Sequence, residues 1–201
     1  MSDKVIEYFY SAHSAYAYLG AKELARISQA TGWRIAHRPF DFHPVINAAG
    51  ATGFKKRSAA HIDYFFGREL SRWAQWRDLP ILDFRPTFHD NPLALANGMI
   101  IAASDPDRIS FAILQAHWRD DADIADPDTL LALATACSEN GPELIEAALS
   151  DSVQRQHDAN TQEAIDRNVF GSPAYFIRGD MFYGQDRLEM VARAIAQPFA
   201  P

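Results

Sequence analysis

Val5-Ile6-Glu7-Tyr8-Phe9-Tyr10-Ser11-Ala12-His13-Ser14-Ala15-Tyr16-Ala17-Tyr18-Leu19-Gly20 passes from a strand pattern to a helix pattern through a short polar turn. Val5 to Tyr10 is β-branched and aromatic, the composition of a strand. From Ala15 the period changes, and Ala17, Ala21, Leu24 and Ile27 recur at helical spacing. Ser11 to Ser14 form a short polar turn between the two, with Ser14 at the N-cap position. The unpaired N–H groups of the first helical turn and the positive end of the helix dipole converge there. Such a spot favours an anion, for instance a thiolate. Capping is the ordinary work of this serine, so a sharper role needs a second feature elsewhere in the chain.

Working outward, the first helix is expected from Ala15 to Thr31, with Gly32 as its C-terminal glycine. Trp33 to Pro39 reads as a second strand, with His37 a sheet-surface residue of no special role. Strand, helix and strand in this order predict parallel strands and a right-handed crossover. Phe40 to Gly53, broken by Pro44, Gly50 and Gly53, reads as irregular. Beyond Arg57 a helical stripe of Ile62, Phe65, Phe66, Leu70, Trp73 and Trp76 is expected to face the core. Further helical runs are expected from Pro92, Pro106, Asp126, Gly141 and Ser152, and Phe84 to Asn91 is a proline-punctuated loop. Ala174 to Ile177 and Met181 to Tyr183 read as a hairpin across Arg178-Gly179-Asp180, ahead of a last helix from Arg187 to Ala196. The order is βαβ, a long all-helical middle, then αββα. It predicts an α/β, thioredoxin-like fold with a large all-helical insertion. Residues 1–44 and 150–201 would form the thioredoxin-like domain and residues 45–149 the inserted helical one.

The 201 residues are 48% hydrophobic and 22% charged, which suits a packed core. A formal charge of −7 argues against nucleic-acid binding. No signal-peptide pattern and no apolar run of spanning length is present, so a soluble cytoplasmic protein without membrane attachment is expected. The single cysteine, Cys137, lies in an alanine-rich helical stretch and is expected in the core. One cysteine excludes an intramolecular disulfide, a CxxC redox pair and a cysteine-rich zinc site. The histidines lack metal-ligand spacing, so no metal is expected.

The second feature is Val169-Phe170-Gly171-Ser172-Pro173-Ala174-Tyr175-Phe176. Together with Phe9 to Gly20, Arg38-Pro39-Phe40, Arg72-Trp73-Ala74 before Leu79-Pro80, and Gly184-Gln185-Asp186-Arg187-Leu188, it makes the chain resemble a known family. The chain is similar to the 2-hydroxychromene-2-carboxylate isomerases and the kappa-class glutathione transferases, within the DsbA-like branch of the thioredoxin superfamily. The resemblance covers nearly the whole chain and implies glutathione as cofactor, a cis-proline at Pro173 and a homodimer. It implies that Ser14 binds the glutathione sulfur, that the backbone at Ser172 and Pro173 pairs with the cysteinyl part, and that Gln185 and Asp186 hold the γ-glutamyl end. The implied activity is isomerisation of a small aromatic-derived substrate through an unsaturated carbonyl form, in breakdown of an aromatic compound. Pocket walls are expected from Phe84 to Asn91 and Trp118.

The chain also departs from the family pattern. Ala15 replaces a proline, Ala17 a small hydroxyl residue, Ser11 an acidic residue, and Gly50-Ala51 a Gly-Asn. His61 stands where a lysine is expected, with Lys55, Lys56 or His61 itself as substitutes toward a glutathione carboxylate. His13, beside Ser14, is a candidate substrate contact or proton shuttle. Two other functions use the same site, a kappa-like transferase and a glutathione-binding protein without catalysis. A disulfide oxidoreductase is disfavoured, because Ser14 and Ala17 occupy the positions of its two cysteines.

Overall fold

The computed structural model describes residues 4–50 and 57–200. A four-stranded sheet is built from β1 (Val5–Tyr10), β2 (Arg34–Pro39), β3 (Ala174–Ile177) and β4 (Asp180–Tyr183), in the order β2-β1-β3-β4. β1 runs parallel to β2, with Val5 opposite Arg34 and Tyr10 opposite Pro39. It runs antiparallel to β3, with Tyr8 opposite Tyr175, and β3 and β4 close the hairpin. The expected strand pairings and hairpin are therefore present. Helix α1 (Ala15–Thr31) has the expected bounds, and Gly32 ends it at φ 67°. Between β2 and β3 lie α2 (Phe42–Ala48), α3 (Ala59–Ile62), a π-helical turn (Asp63–Arg68), α4 (Glu69–Arg77), α5 (Ala94–Ala102), α6 (Pro106–Arg119), α7 (Pro127–Ala136), α8 (Gly141–Leu149) and α9 (Asp151–Asp166). A 3₁₀ turn (Gln185–Arg187) leads into α10 (Leu188–Ala196).

Alternation along β1 and β3 sends side chains to two cores. Ile6, Tyr8, Tyr10, Tyr175 and Ile177 join a large cluster with Tyr18, Leu24 and Ile27 of α1, Ile109 and Ile113 of α6, and Leu188 and Val191 of α10. Tyr8 stacks between Tyr10 and Tyr175, with ring centroids 4.0 and 5.3 Å away. Phe9, Ala174 and Phe176 point the other way and pack on Val45 of α2 and Ala164 of α9. Both faces of the sheet are thus covered, and Cys137 is buried as expected.

Three expectations are corrected. The segment read as irregular contains α2, because Val45 is drawn fully into the second core and Pro44 falls in the first helical turn, where its missing N–H costs nothing. The stripe from Ile62 to Trp76 is not a core face: Leu70 is buried, whereas Phe65, Phe66 and Trp76 are exposed. The π-helical turn lies within that stripe. Its i→i+5 geometry changes the angular spacing, so residues on its two sides do not share one face. Finally, His37 is not a plain surface residue. Its side chain is 6% exposed, with Nε2 2.7 Å from Asp107 and Nδ1 2.8 Å from the Tyr10 hydroxyl. Ala51, Lys55 and Lys56 lie outside the described residues.

Candidate active site at the head of the first helix

The turn from Ser11 to Ser14 is held from four directions. The Ser11 N–H donates to the Ser172 hydroxyl at 3.0 Å, and the Ser14 N–H to the Ser11 carbonyl at 3.0 Å. The Ala12 N–H donates to Oδ1 of the buried Asn97 at 3.2 Å. Asn97 is fixed in turn by the Phe40 carbonyl and His157. The His13 carbonyl accepts from the indole N–H of Trp118 at 2.8 Å. Sequence reasoning missed Asn97, which stands in a helix among apolar neighbours. A buried amide in such a place must have partners, and that is the signal it gives.

Ser14 is an N-cap in extended conformation, and its hydroxyl accepts from the Ala17 N–H at 3.2 Å. The same hydroxyl donates to the Ser172 carbonyl at 3.2 Å. The peptide bond from Ser172 to Pro173 is cis, as the resemblance implied. The structure therefore brings Ser14, Ser172 and Pro173 together at the positive end of a 17-residue helix. An anion reaching Ser14 would compete with the Ser172 carbonyl for the one hydroxyl hydrogen.

Two walls flank this point. On one side, His13 contacts Phe42 and His89, with centroids 5.3 and 4.6 Å away. His89 meets His117 through a 2.8 Å Nδ1–Nε2 contact and lies edge-on to Trp118. Burial keeps all three imidazoles neutral. It pushes His89 down to about 3 and His117 to about 4, and His13 falls well below its ordinary value as neighbouring histidines add to the effect. His89 of the loop from Phe84 to Asn91 and Trp118 thus both reach the turn. Among the described residues, no group of three His, Cys, Asp or Glu side chains is placed to hold a metal ion.

The other wall carries charge. Gly184 donates its N–H to the Pro173 carbonyl at 2.9 Å, which ties the end of the hairpin to the cis-proline turn. Its φ is 98°, and a β-carbon there would run into the Asp186 carboxylate, so glycine is required for Asp186 to fold back. Burial raises the pKa of the Tyr16 and Tyr183 hydroxyls, and the Asp186 carboxylate adds to the shift at both. Tyr183 lies against Gly171, where a β-carbon would come within 2.8 Å of its hydroxyl. Tyr16 and Tyr183 were not among the predicted site residues.

The remaining predicted residues are placed differently. Asp186 is exposed, but Gln185 is 1% exposed and buried beneath Gly20. Its Oε1 accepts from Arg77, and its Nε2 is buried without a partner among the described residues. Gln185 thus supports the turn from within. His61 is exposed on α3 and its ring contacts Phe65. The donor set fits glutathione: a helix N-terminus with a serine hydroxyl for a thiolate, and an exposed carboxylate for an ammonium.

Comparison with known proteins places the chain in a family. A family model described as a DSBA-like thioredoxin domain matches residues 5–196. The 2-hydroxychromene-2-carboxylate isomerase of Pseudomonas sp. (strain C18) is 25% identical over 95% of this chain and 90% of its own length. The protein of that name from Sphingobium xenophagum is 26% identical over 94% and 96%. A solved 2-hydroxychromene-2-carboxylate isomerase superposes with a TM-score of 0.81 at 22% identity, covering 96% of this chain and 95% of that one. The cytosolic disulfide reductase DsbM from Pseudomonas aeruginosa, solved with GSH, gives a TM-score of 0.65 at 20% identity over 96% and 93%. With its sheet order, its cis-proline and a match from β1 to the last helix, the chain belongs to the DSBA-like thioredoxin domain family.

Proposed function

We propose that this protein is a glutathione-dependent isomerase of the 2-hydroxychromene-2-carboxylate type, acting in breakdown of an aromatic compound. The observation that carries the reading is the apposition of the Ser14 hydroxyl to the cis Ser172–Pro173 turn at the head of α1. The relatives' names and the neighbour solved with GSH support it.

Ser14 and the N–H groups of the first turn of α1 would stabilise a thiolate over a thiol. The cis-proline turn would present backbone to the cysteinyl part, and Asp186 would face the γ-glutamyl ammonium. Glutathione held by Ser14, the cis-proline turn and Asp186 would supply a sulfur nucleophile for reversible addition to an unsaturated carbonyl, which would free the former double bond to rotate. The chain's part is to hold charge at two places, at Ser14 before and after, and at the carbonyl oxygen in between.

The test is a glutathione titration followed by thiolate ultraviolet absorbance, with isomerisation of 2-hydroxychromene-2-carboxylate assayed in parallel. Wild type should give a saturable thiolate signal and turnover without loss of glutathione. Ser14→Ala should lose the signal and about 10²–10³-fold in kcat, the cost of one missing donor to a reacting anion. Stoichiometric consumption of glutathione would instead mark a transferase. Equal thiolate signals in wild type and Ser14→Ala would remove Ser14 from this role.

A further inference from the structure

The histidine wall beside Ser14 has no part in holding glutathione in the reading above. Its hydrogen bonds fix where each proton sits. Ser11 is fully buried, and its hydroxyl meets one side-chain partner among the described residues, Nδ1 of His13 at 2.8 Å. A buried hydroxyl hydrogen needs an acceptor. Ser11 is therefore the donor, Nδ1 of His13 is bare, and the ring hydrogen is on Nε2. That Nε2 has no hydrogen-bond partner among the described residues, and the ring is only partly buried, immediately before Ser14 in the chain.

The neighbouring pair is fixed in the same way. The Ala122 carbonyl can only accept, so His117 carries its hydrogen on Nδ1. Nε2 of His117 is then the acceptor for the Nδ1–H of His89. The fully buried His117 thus anchors His89, and His89 packs on the ring of His13. The groups that act on His13 are His43, Arg85, His89 and His117, all opposing a positive charge, with the Asp90 carboxylate also in range.

We propose that His13 is a further catalytic residue of the isomerisation, whose Nε2–H, set by Ser11, donates a hydrogen bond to the carbonyl oxygen of the substrate while that oxygen carries negative charge. This rests on the isomerase reading above. A neutral imidazole suits the task. In an addition, rotation and elimination, charge moves onto oxygen and returns, and no proton is gained or lost. A neutral N–H stabilises the oxyanion without surrendering its proton, whereas an imidazolium would hand a proton over and halt the return. His89 and His117 are positioning residues, and they disfavour charge on His13. His13 is thus a fixed hydrogen-bond donor, and the shuttle role considered from sequence is set aside.

The experiment pairs ¹⁵N magnetic resonance of the imidazoles in the ligand-free protein with kinetics of His13→Leu, His13→Gln and Ser11→Ala. His13 should show a protonated Nε2 and a bare Nδ1 throughout the neutral range, and Ser11→Ala should mix the two tautomers. His13→Leu should lower kcat by about 10²-fold or more, with KM and the thiolate signal of bound glutathione little changed. His13→Gln, which keeps an N–H donor, should recover part of that loss. The kcat profile of wild type should show no ionisation near the ordinary histidine value of about 6.5. A His13 carrying its hydrogen on Nδ1, or charged at neutral pH, overturns the proposal. So does an unchanged kcat in His13→Leu, or equal losses in the Leu and Gln variants, which would mark a structural role. Wild type without a thiolate signal and without isomerisation overturns the isomerase reading, and this one with it. A thiolate signal and turnover that are indifferent to His13 overturn this one alone.

Discussion

Ser14 and Ser58 begin their helices in the same way. Each is an N-cap in extended conformation whose hydroxyl accepts from the N–H three residues on, at 3.2 Å in both. Their surroundings differ. Around Ser14 the turn is clamped by Ser172, Asn97 and Trp118, and the helix it opens runs 17 residues through the core. Ser58 is exposed and opens a four-residue helix without a buried residue, which passes into the π-helical turn. The comparison separates capping from function. The bond from N-cap hydroxyl to N–H is common to both, so it says nothing about chemistry. The difference is a second chain segment brought against the cap, and here that segment is the cis-proline turn.

The largest effect should come from the anchor of the Ser58 arm. Leu70 is 3% exposed at the start of α4 and joins the main core, so Leu70→Ala should cost about 2–5 kcal/mol in denaturant unfolding. A loss near zero would mean the arm is not seated on the core at all. At the other cap, Asn97→Ala removes the acceptor of the Ala12 N–H and leaves that buried group unpaired, at a cost of about 1–3 kcal/mol. Thiolate absorbance with glutathione should fall in the same variant, because the turn loses a clamp. Retained stability and signal would show that Trp118 and Ser172 hold the turn without it.

The two regions also differ in how legible they are. Around Ser14, local chemistry and tertiary structure agree: the change of period at Ala15, the cap and Gly32 fix α1, and β3 is bounded as its sequence indicates. Ser14 and the proline turn could be paired from sequence, because each lies in a motif. Asn97, His117 and Tyr183 could not, since their roles depend on which distant segments they meet. Gln185 shows the converse, being adjacent in sequence to Asp186 yet turned inward beneath Gly20. In the arm, periodicity misled because a π-helical turn interrupts the α-helical angle within the stripe, so an apolar pattern did not make a buried face. At Val45, tertiary burial outweighed turn-forming neighbours.

The neutral histidines give the clamped cap a pH dependence. A histidine held down in the fold binds its proton more readily once unfolded, so the unfolded chain takes up protons first as pH falls. Stability from His117 is therefore complete above its ordinary value of 6.5 and is lost as pH falls toward about 4. The slope is about 1.4 kcal/mol per pH unit for each such group. His13, His89 and His157 act in the same direction. His117→Leu should flatten the decline of the urea midpoint between pH 6.5 and 4 by one histidine's share. An unchanged slope would place the acid sensitivity elsewhere.

The smallest effect should be at Trp76, and it tests the arm's outer face directly. Trp76 is the last residue of the apolar stripe and is 76% exposed, whereas Leu70 and Ala74 on the same helix are buried. A truncation there removes little that folding takes out of water, so Trp76→Ala should lie within about 0.5 kcal/mol of wild type in urea unfolding. The same substitution should leave the glutathione thiolate signal unchanged, since no hydrogen bond or ring contact among the described residues links Trp76 to the turn. A loss of several kcal/mol would mean that the stripe is covered in solution, as in an assembly of copies. The effect would then shrink as protein concentration is lowered, because a covered face stabilises through association. A loss independent of concentration would instead mean that α4 packs through the face its periodicity indicated, and the contrast between the two serine caps would narrow.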